Sequence, residues 1–422
     1  MLGRSKREIF FITHLYYPSL GGAERVFQHL AEGLKAQGHT VTVLTSDALS
    51  TEHYYSQTKT NLPAEEKING VQVVRESICS PIYKVMRFID APLRRLGRVG
   101  VFLRPLSFGP HFYQTWRYFF RQHFDLVIAG PVPTSSMYYG FMYHLRHPQA
   151  RLIVIPCLHI GDKLHTSPLN IALLKRAERV ITLTRREKSY LCLRGVKEEK
   201  MFVLSSGVDE HFLKLLKRSA DVKDDIRGKE EKIKVSGLEP VPEDYVLYLG
   251  QEGEHKRIPF LVKAMIKLWD AGYQNPLIIA GARTNYSFSI DQFICHLPAA
   301  YRTKIIRFNN ISEEEKMHLL DSCLIMVNPS AYESFGIVFL EAWARGKPVI
   351  GADLPVLREI IRHGKNGLLF SRESIEDLSE KIRLLLDNRD YAMKLGEEGR
   401  QEVLARYTWP RIISSLAEFL EL

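Results

Sequence analysis

The chain has 422 residues, with 45% hydrophobic and 25% charged side chains, the composition of an ordinary globular protein of two or three domains. Its formal net charge of +10 indicates an anionic partner, such as nucleotide phosphates, lipid head groups or nucleic acid. The sequence has no run of eighteen apolar residues, which excludes a membrane-spanning helix, and the apolar run at 9–13 is too short for a signal-peptide core. Five cysteines without CxxC spacing indicate neither a zinc site nor a disulfide framework, so a reducing, cytoplasmic compartment is expected.

The first half of the chain has the pattern of an open parallel sheet. The apolar run at 9–13 predicts a buried strand, Gly21-Gly22 opens a helix, and residues 40–45 predict the next strand. This βαβ order requires parallel strands. Gly22 lies at the carboxyl end of the first strand, where open α/β sheets bind ligands, although a simple tight turn is the alternative. Further strands are predicted at 71–74, 125–129, 151–156, 179–183 and 201–204, with a helix at 138–146.

The segment at 83–124 combines positive charge with aromatic side chains. It holds eight Lys and Arg residues against the single acid Asp90. This mixture suits docking on an anionic membrane surface. The alternative is a core helix at 112–120 with a solvated basic rim. Because the charge is not grouped on a recognisable reading motif, nucleic acid is not expected as a partner.

A histidine follows the strand predicted at 151–156. His159 lies at the carboxyl end of that strand, where a side chain points into the ligand crevice of an open α/β sheet. A purely structural histidine is the alternative. The sequence therefore marks His159 as a candidate ligand contact in the first half of the chain.

The second half repeats the alternation of strands and helices. It is preceded by the stretch at 214–243, which is highly charged, lacks apolar periodicity and predicts a linker with a surface loop. Strands predicted at 245–249, 277–280, 305–308 and 323–327 alternate with helical segments. This alternation predicts a second doubly wound unit.

Two glutamates lie eight residues apart after the last of these strands. Apolar residues between 335 and 342 have helical spacing, which places Glu333 just before a helix and Glu341 two turns inside it. The two carboxylates are then roughly 12 Å apart along the axis. This is too far for a catalytic carboxylate pair, which needs about 5 to 10 Å, but it suits contacts with two parts of one long ligand. Gly336 lets the backbone come close, and the free amides of the helix start form an anion site.

This stretch contains a family motif. Asn328-Pro329-Ser330, followed by Glu333-Ser334-Phe335-Gly336 and Glu341, resembles the Glu-x7-Glu motif of retaining glycosyltransferases of family 4, which have the GT-B fold. The resemblance implies that Glu333 contacts the donor sugar and that Glu341 holds the nucleotide ribose. It also implies that the backbone amides after Glu333 face the sugar and the pyrophosphate, namely those of Phe335, Gly336 and Ile337.

The resemblance extends to the loop after the strand at 245–249 and to the first half. In the family, an Arg after a glycine and a later Lys clamp the donor pyrophosphate. Lys256 matches that Lys, whereas Gln251 occupies the usual Arg position, and Arg257 is expected to restore the missing positive charge. His159 matches a family His that contacts the donor sugar near the reacting carbon, and Gly22 belongs to a glycine-rich loop that faces the donor phosphate and the acceptor.

The resemblance covers nearly the whole chain and implies two Rossmann-like α/β domains with parallel sheets that face each other across a cleft. The first domain, 1–205 with a crossover helix at 408–422, is expected to bind the acceptor, and the second, 206–407, the nucleotide-sugar donor. The implied activity is that of a hexosyltransferase-type enzyme that retains the anomeric configuration. Its acceptor is a sugar, a growing glycan or a lipid-linked carrier, which fits a peripheral position at the inner face of the membrane. The implied front-face route passes the acceptor's proton to the leaving phosphate.

No metal and no cofactor is expected, because the sequence lacks a DxD motif and cationic side chains with a helix terminus can take up the charge on the pyrophosphate. Two alternatives stay open. One is a nucleotide-sugar epimerase on the same fold, and the other is a non-catalytic nucleotide-sugar-binding subunit, which Gln251 suggests. The sequence also leaves open the nucleotide base, the sugar, the acceptor and the oligomeric state.

Overall fold

The structure is a computed structural model that describes residues 6–19, 21–50, 60–78, 116–214 and 244–422, together with residues 53, 88, 92, 95, 109, 110 and 242. The predicted linker at 214–243 and the basic aromatic segment at 83–124 lie largely outside the described residues. The chain divides into two compact units, the first comprising Met1–Ser206 with Trp409–Leu422 and the second Gly207–Thr408.

An open sheet forms the centre of the first unit. Its strands are β1 (Glu8–Ile12), β2 (Thr40–Ser46), β3 (Glu65–Ile68), β4 (Val71–Glu76), β5 (Leu126–Ala129), β6 (Arg151–Val154), β7 (Arg179–Thr182) and β8 (Met201–Val203). They lie in the order β3-β4-β2-β1-β5-β6-β7-β8, and every neighbouring pair is parallel except β3 with β4. The order reverses between β1 and β5, so the ligand crevice of this sheet is expected at the carboxyl ends of these two strands.

The helices of the first unit are α1 (Gly22–Ala36), α2 (Trp116–Arg121), α3 (Ser136–Arg146), α4 (Pro168–Arg176) and α5 (Arg185–Leu193). The predicted apolar stripe of α1 is confirmed, since its side chains are buried at helical spacing: Val26, Phe27, Leu30, Ala31 and Leu34. Burial of this stripe on the sheet, rather than helix propensity alone, stabilises α1.

One strand of the first sheet has no apolar pattern. β3 has the sequence Glu-Glu-Lys-Ile and pairs antiparallel with β4 at the sheet edge. The sequence predicted no strand here, because hydrophobic alternation is the signal for a half-buried strand and β3 lacks it. Charged side chains are typical of edge strands, where they hinder pairing with another chain.

The second unit has a fully parallel sheet. Its strands are β9 (Val246–Leu249), β10 (Leu277–Gly281), β11 (Ile305–Asn309), β12 (Ile325–Asn328), β13 (Val349–Ala352) and β14 (Leu368–Phe370). They lie in the order β11-β10-β9-β12-β13-β14. The helices are α6 (Glu210–Leu213), α7 (Ile258–Asp270), α8 (Ser287–Cys295), α9 (Ala299–Arg302), α10 (Glu313–Ser322), α11 (Ile337–Ala344), α12 (Ile375–Asp387) and α13 (Arg389–Arg406). The predicted second doubly wound unit is therefore confirmed.

The last helix, α14 (Trp409–Leu420), belongs to the first unit and packs on α1. The ring of Trp409 stacks on His29 with 4.3 Å between ring centroids. A Cβ added to Gly33 would lie 2.1 Å from the side chain of Ile413, so a larger residue at that position would require Ile413 to move. Among the helices of the described residues, none is both long and apolar enough to cross a bilayer.

Candidate functional site

Two loops meet where the strand order of the second sheet reverses, between β9 and β12. Lys256 lies in the loop after β9, and Glu333 lies in the loop after β12. Their side chains form an ion pair with 2.5 Å between Nζ and Oε1. The backbone amide of Ala331 also donates to the carbonyl of His255 at 2.7 Å, so the main chain joins the same loops. The carboxyl edge at such a reversal is the usual ligand site of an open α/β sheet.

The carboxylate of Glu333 is largely buried, and its side chain is only 10% exposed. Burial alone would raise its pKa, but the Lys256 ammonium and hydrogen bonds from Lys256 and Ser330 together outweigh burial and lower the pKa of Glu333. The Ser330 hydroxyl donates to Glu333 Oε1 at 2.7 Å. The site therefore holds an ionised carboxylate and an ammonium in a defined position at neutral pH.

Hydrogen bonds from buried polar side chains at the ends of β9 and β12 hold the two loops in place. Asn328 donates through Nδ2 to the carbonyl of Leu249 at 3.2 Å and accepts the Ser330 amide at 3.3 Å. The Tyr248 hydroxyl donates to the carbonyl of Gln251 at 3.0 Å. Since buried polar atoms are costly when they lack partners, these bonds specify one loop arrangement.

The helix after Glu333 starts later than the apolar spacing predicts. α11 begins at Ile337, because Gly336 adopts φ +93°, outside the helical region. A Cβ at position 336 would lie 2.8 Å from Phe339, which favours glycine there. Residues 333–336 are thus not helical, and Glu341 is the fifth helical residue rather than two turns inside. The expected axial separation of roughly 12 Å applied the helical rise to all eight residues, and this premise is wrong because residues 333–336 precede the helix. The amide of Phe339 donates to the carbonyl of Gly336 at 3.0 Å. The amides of Ile337 and Val338 come before it at the helix start, where amides lack an intrahelical acceptor and can face an anion.

Glu341 is the second buried carboxylate of this region, with a side chain only 3% exposed. Lys316 of α10 approaches its Oε1 at 3.1 Å and also contacts Glu313 at 3.0 Å. The Lys316 ammonium further lies 5.1 Å from the ring centroid of Phe212. The carboxylate is therefore held by a cation that the sequence analysis did not single out.

Arg257 has partners different from those of Lys256. It adopts φ 54°, and its guanidinium donates to the carbonyl of Arg372 at 2.8 Å and to Glu373 at 2.9 Å. The guanidinium also lies 4.2 Å from the ring centroid of Phe260. Gln251 is exposed. The structure thus does not bring Arg257 to the Lys256–Glu333 pair, and its expected compensation for Gln251 stays a prediction.

Family models and known proteins agree with this architecture. A model described as Glycosyltransferase Family 4 matches residues 20–212, and one described as Glycosyl transferases group 1 matches residues 229–402. This chain belongs to the family 4 glycosyltransferases.

Similar proteins span nearly the same length. An uncharacterized glycosyltransferase of Methanocaldococcus jannaschii is 25% identical, with 96% of this chain and 95% of that protein covered. Sucrose-phosphate synthase from Thermosynechococcus elongatus has a TM-score of 0.70 at 18% identity, with 98% of each chain covered. The Anabaena protein HepE, solved with UDP-glucose, has a TM-score of 0.68 at 17% identity, with 98% of this chain and 99% of that chain covered. These structures confirm the GT-B fold expected for this glycosyltransferase.

The remaining predicted site residues of the glycosyltransferase lie in the first unit. Gly22 is the first residue of α1 and is exposed. His159 is half-buried in the loop after β6, where its backbone amide donates to Nδ1 of His165 at 3.3 Å. Burial, with the neighbouring His159, lowers the pKa of His165 to about 4. His165 is therefore neutral at pH 7, as its acceptor role requires.

Sequence reasoning missed a charged network of the glycosyltransferase between the loop after β9 and strand β11. Glu252, which is 1% exposed, accepts from Nη2 of Arg307 at 2.6 Å at each carboxylate oxygen. The same guanidinium contacts Asp291 of α8. The available signal was an acid three residues after β9, together with a lone arginine inside the apolar run of β11. Pairing across strands could not be read from either residue alone.

Proposed function

We propose that this glycosyltransferase moves a sugar from a nucleotide-sugar donor to an acceptor hydroxyl with retention of the anomeric configuration, as a hexosyltransferase. The observation that carries the proposal is the largely buried Lys256–Glu333 pair at the strand-order reversal of the second sheet. An ammonium there suits a diphosphate, and a carboxylate beside it suits sugar hydroxyls. The amides of Phe335, Gly336 and Ile337 add donors to the same anion site.

Lys256 supplies positive charge where the leaving pyrophosphate gains negative charge in the transition state. Such preorganised charge is commonly the largest catalytic contribution. Within the described part of the chain, no three His, Cys, Asp or Glu side chains are grouped to hold a metal ion. Lys256 and the start of α11 can take up the charge that develops on the pyrophosphate, so we assign its neutralisation to them and propose transfer without a metal or a cofactor.

The other residues are assigned to separate parts of the substrates. Glu333 binds hydroxyls of the donor sugar, and Glu341 accepts hydrogen bonds from the ribose hydroxyls, because a buried carboxylate can accept two. In the first unit, His159 contacts the sugar near its reacting carbon. Gly22 faces the donor phosphate. In the proposed front-face route, the acceptor oxygen bonds to the anomeric carbon, the bond to the diphosphate oxygen breaks, and that oxygen takes the acceptor's proton.

The donor is tested by thermal shift with UDP-, GDP- and ADP-sugars, followed by turnover with the stabilising donor. A donor at about 100 times its Kd should stabilise the folded protein by about 2.7 kcal/mol. The glycosidic product should keep the donor's anomeric configuration in its proton NMR coupling. Inversion would contradict the retaining route. Epimerised donor would favour the epimerase, and binding without turnover would favour a non-catalytic subunit.

We further propose that the first unit docks on the anionic inner face of a membrane and takes a lipid-linked acceptor. The described end of the basic aromatic segment supports this proposal. Tyr118 and Phe119 are buried, whereas Phe120 is 54% exposed. Leu145 of α3 is 75% exposed, and the Arg146 guanidinium lies 6.0 Å from the ring centroid of Phe120. Exposed apolar side chains beside arginines suit the boundary between head groups and acyl chains.

Replacing Phe120 and Leu145 together with serine is expected to weaken co-sedimentation with anionic liposomes about tenfold or more, because full burial of one such side chain contributes about 1.5 to 3 kcal/mol. Charge reversal of Arg94, Arg95 and Arg98 to glutamate should weaken binding further, since each basic residue near the surface contributes about 1 kcal/mol. Binding should fall as salt rises.

Leu193→Ser is the matched control, because Leu193 is 87% exposed in the same unit but lies at the end of α5. It should leave co-sedimentation unchanged. An equal loss in this control would show that the exposed apolar residues act without a defined docking face. Failure of the unmodified protein to bind anionic liposomes at low salt would instead support an acceptor without a lipid.

A further inference from the structure

A buried carboxylate joins the carboxyl ends of two neighbouring strands of the first sheet. Glu187 of α5 is 3% exposed. Its Oε1 accepts the backbone amide of Leu158, after β6, at 2.8 Å, and its Oε2 accepts the amide of Leu183, after β7, at 2.7 Å. The group thus bonds to the residue immediately before His159 with one oxygen and to the adjacent strand end with the other. A carboxylate that accepts amide hydrogen bonds forms strong, charge-assisted contacts.

The backbone at this point has an uncommon conformation. Cys157 is buried and has φ 49°, in the left-handed region that residues other than glycine rarely adopt. Burial and the negative charge of Glu187 both raise the pKa of the Cys157 thiol, as expected for a carboxylate close to this segment. A strained residue persists only where its surroundings hold it, and such residues concentrate at functional sites.

A capping role alone does not account for this geometry. α5 already has a capping side chain, because the Thr184 hydroxyl accepts the amide of Glu187 at 3.1 Å. In a capping box the glutamate would return to the amide of the capping residue. Glu187 instead accepts the amide of Leu183, the residue before Thr184. Its other oxygen accepts the amide of Leu158, which is 29 positions earlier in the chain.

We propose that Glu187 is a positioning residue that fixes the loop at 157–159 and thereby aims His159 at the donor sugar. The proposal rests on the function proposed above for His159. The chain of contacts runs from the carboxylate through the Leu158 amide to the next residue, His159, whose own amide is held by His165. Two fixed amides in succession restrict the backbone that carries the imidazole. Misplacement of a positioning group by about 1 Å can lower a rate considerably.

The test is a double-mutant cycle with Glu187→Gln and His159→Ala, measured as kcat with whichever of the UDP-, GDP- and ADP-sugars stabilises the protein in the thermal-shift test. A glutamine can accept only one of the two amides, so Glu187→Gln should lower kcat about tenfold, a barrier change of about 1.4 kcal/mol. In the His159→Ala background the same change should have no further effect, because the group it positions is gone. Nucleotide affinity should not change in either background.

Thr184→Ala is the matched control, because it removes a hydrogen bond from the same helix start without touching Leu158. It should lower Tm and leave kcat unchanged. If Glu187→Gln does not fold, Glu187→Asp gives the same comparison. Aspartate keeps the charge, but its shorter side chain cannot accept both the Leu158 and the Leu183 amides. An unchanged kcat, or an equal loss in both His159 backgrounds, would overturn the positioning role alone. A silent His159→Ala would overturn the proposed function of His159 and the positioning role with it.

Discussion

Replacing Lys256 with methionine should lower both the rate of sugar transfer and the stability of the second unit. Methionine keeps most of the side-chain volume but removes the ammonium that neutralises the pyrophosphate. Removal of one such preorganised group lowers kcat by about 100-fold or more. The variant also leaves Glu333 as a buried carboxylate without its ion-pair partner, which costs about 3 kcal/mol or more of unfolding free energy. Steady-state kinetics and urea unfolding measure the two losses separately.

The stability loss should depend on pH with a defined sign. In the unmodified protein the pKa of Glu333 is lowered, so its contribution is present above the unfolded pKa of about 4.3 and is lost as pH falls through the folded pKa. Without Lys256, burial dominates and raises the pKa of Glu333, so the variant is destabilised above the unfolded pKa. The difference in unfolding free energy should therefore be large at pH 7 and shrink towards pH 4.5.

Lys267→Met provides the comparison for this effect. Lys267 forms an ion pair with Glu376 at 3.1 Å in the same unit, but both side chains are about half exposed or more. Exposed pairs contribute little, so this variant should unfold at nearly the original urea concentration and keep its kcat. If the two lysine variants lose equal stability, or if the Lys256→Met deficit does not vary with pH, the assigned burial of the Lys256–Glu333 charge pair is wrong.

Glu341→Ala should weaken nucleotide binding while Glu333→Ala mainly lowers turnover. Glu341 is buried within α11, and the proposed ribose contact is a charge-assisted hydrogen bond worth about 1.5 to 3 kcal/mol. The nucleotide Kd should therefore rise by roughly 10-fold to 150-fold. Isothermal titration with the nucleoside diphosphate measures this change directly, without an acceptor.

Glu313→Ala separates the ribose contact from the neighbouring charge. Glu313 contacts the same Lys316 ammonium at 3.0 Å but lies on α10 rather than α11. If Glu341 acts on the ribose, Glu313→Ala should leave the nucleotide Kd nearly unchanged. If Glu341→Ala and the unmodified protein bind the nucleoside diphosphate with equal Kd, Glu341 does not contact the ribose.

Local patterns of the sequence predicted most elements of both sheets. β9, α7 and α11 follow from short apolar runs and helical spacing, because burial of one face dictates the period of hydrophobic residues. The predicted start of α11, at the first apolar residue of the helical spacing, was two residues too early, because spacing alone does not reveal that Gly336 adopts a positive φ. β3 was missed because an edge strand needs backbone partners rather than an apolar face.

The candidate site was predictable only in part, for a related reason. Lys256 and Glu333 could each be named from a motif. They are 77 positions apart in sequence, and they meet because β9 and β12 are neighbours in the sheet. The partners of Arg257 and the cation beside Glu341 were likewise not readable, because side-chain direction depends on packing between elements.

By itself, the sequence determined the two doubly wound units, the family and the residues that carry charge at the strand ends, since these depend on local periodicity and on motifs of adjacent residues. Only the tertiary structure decided which charges pair, as with Lys316 and Glu341, and which carboxylate holds a loop, as with Glu187. The physical reason is that ion pairs and amide contacts act over about 3 Å in space, whereas strand order brings together residues that are far apart in the chain.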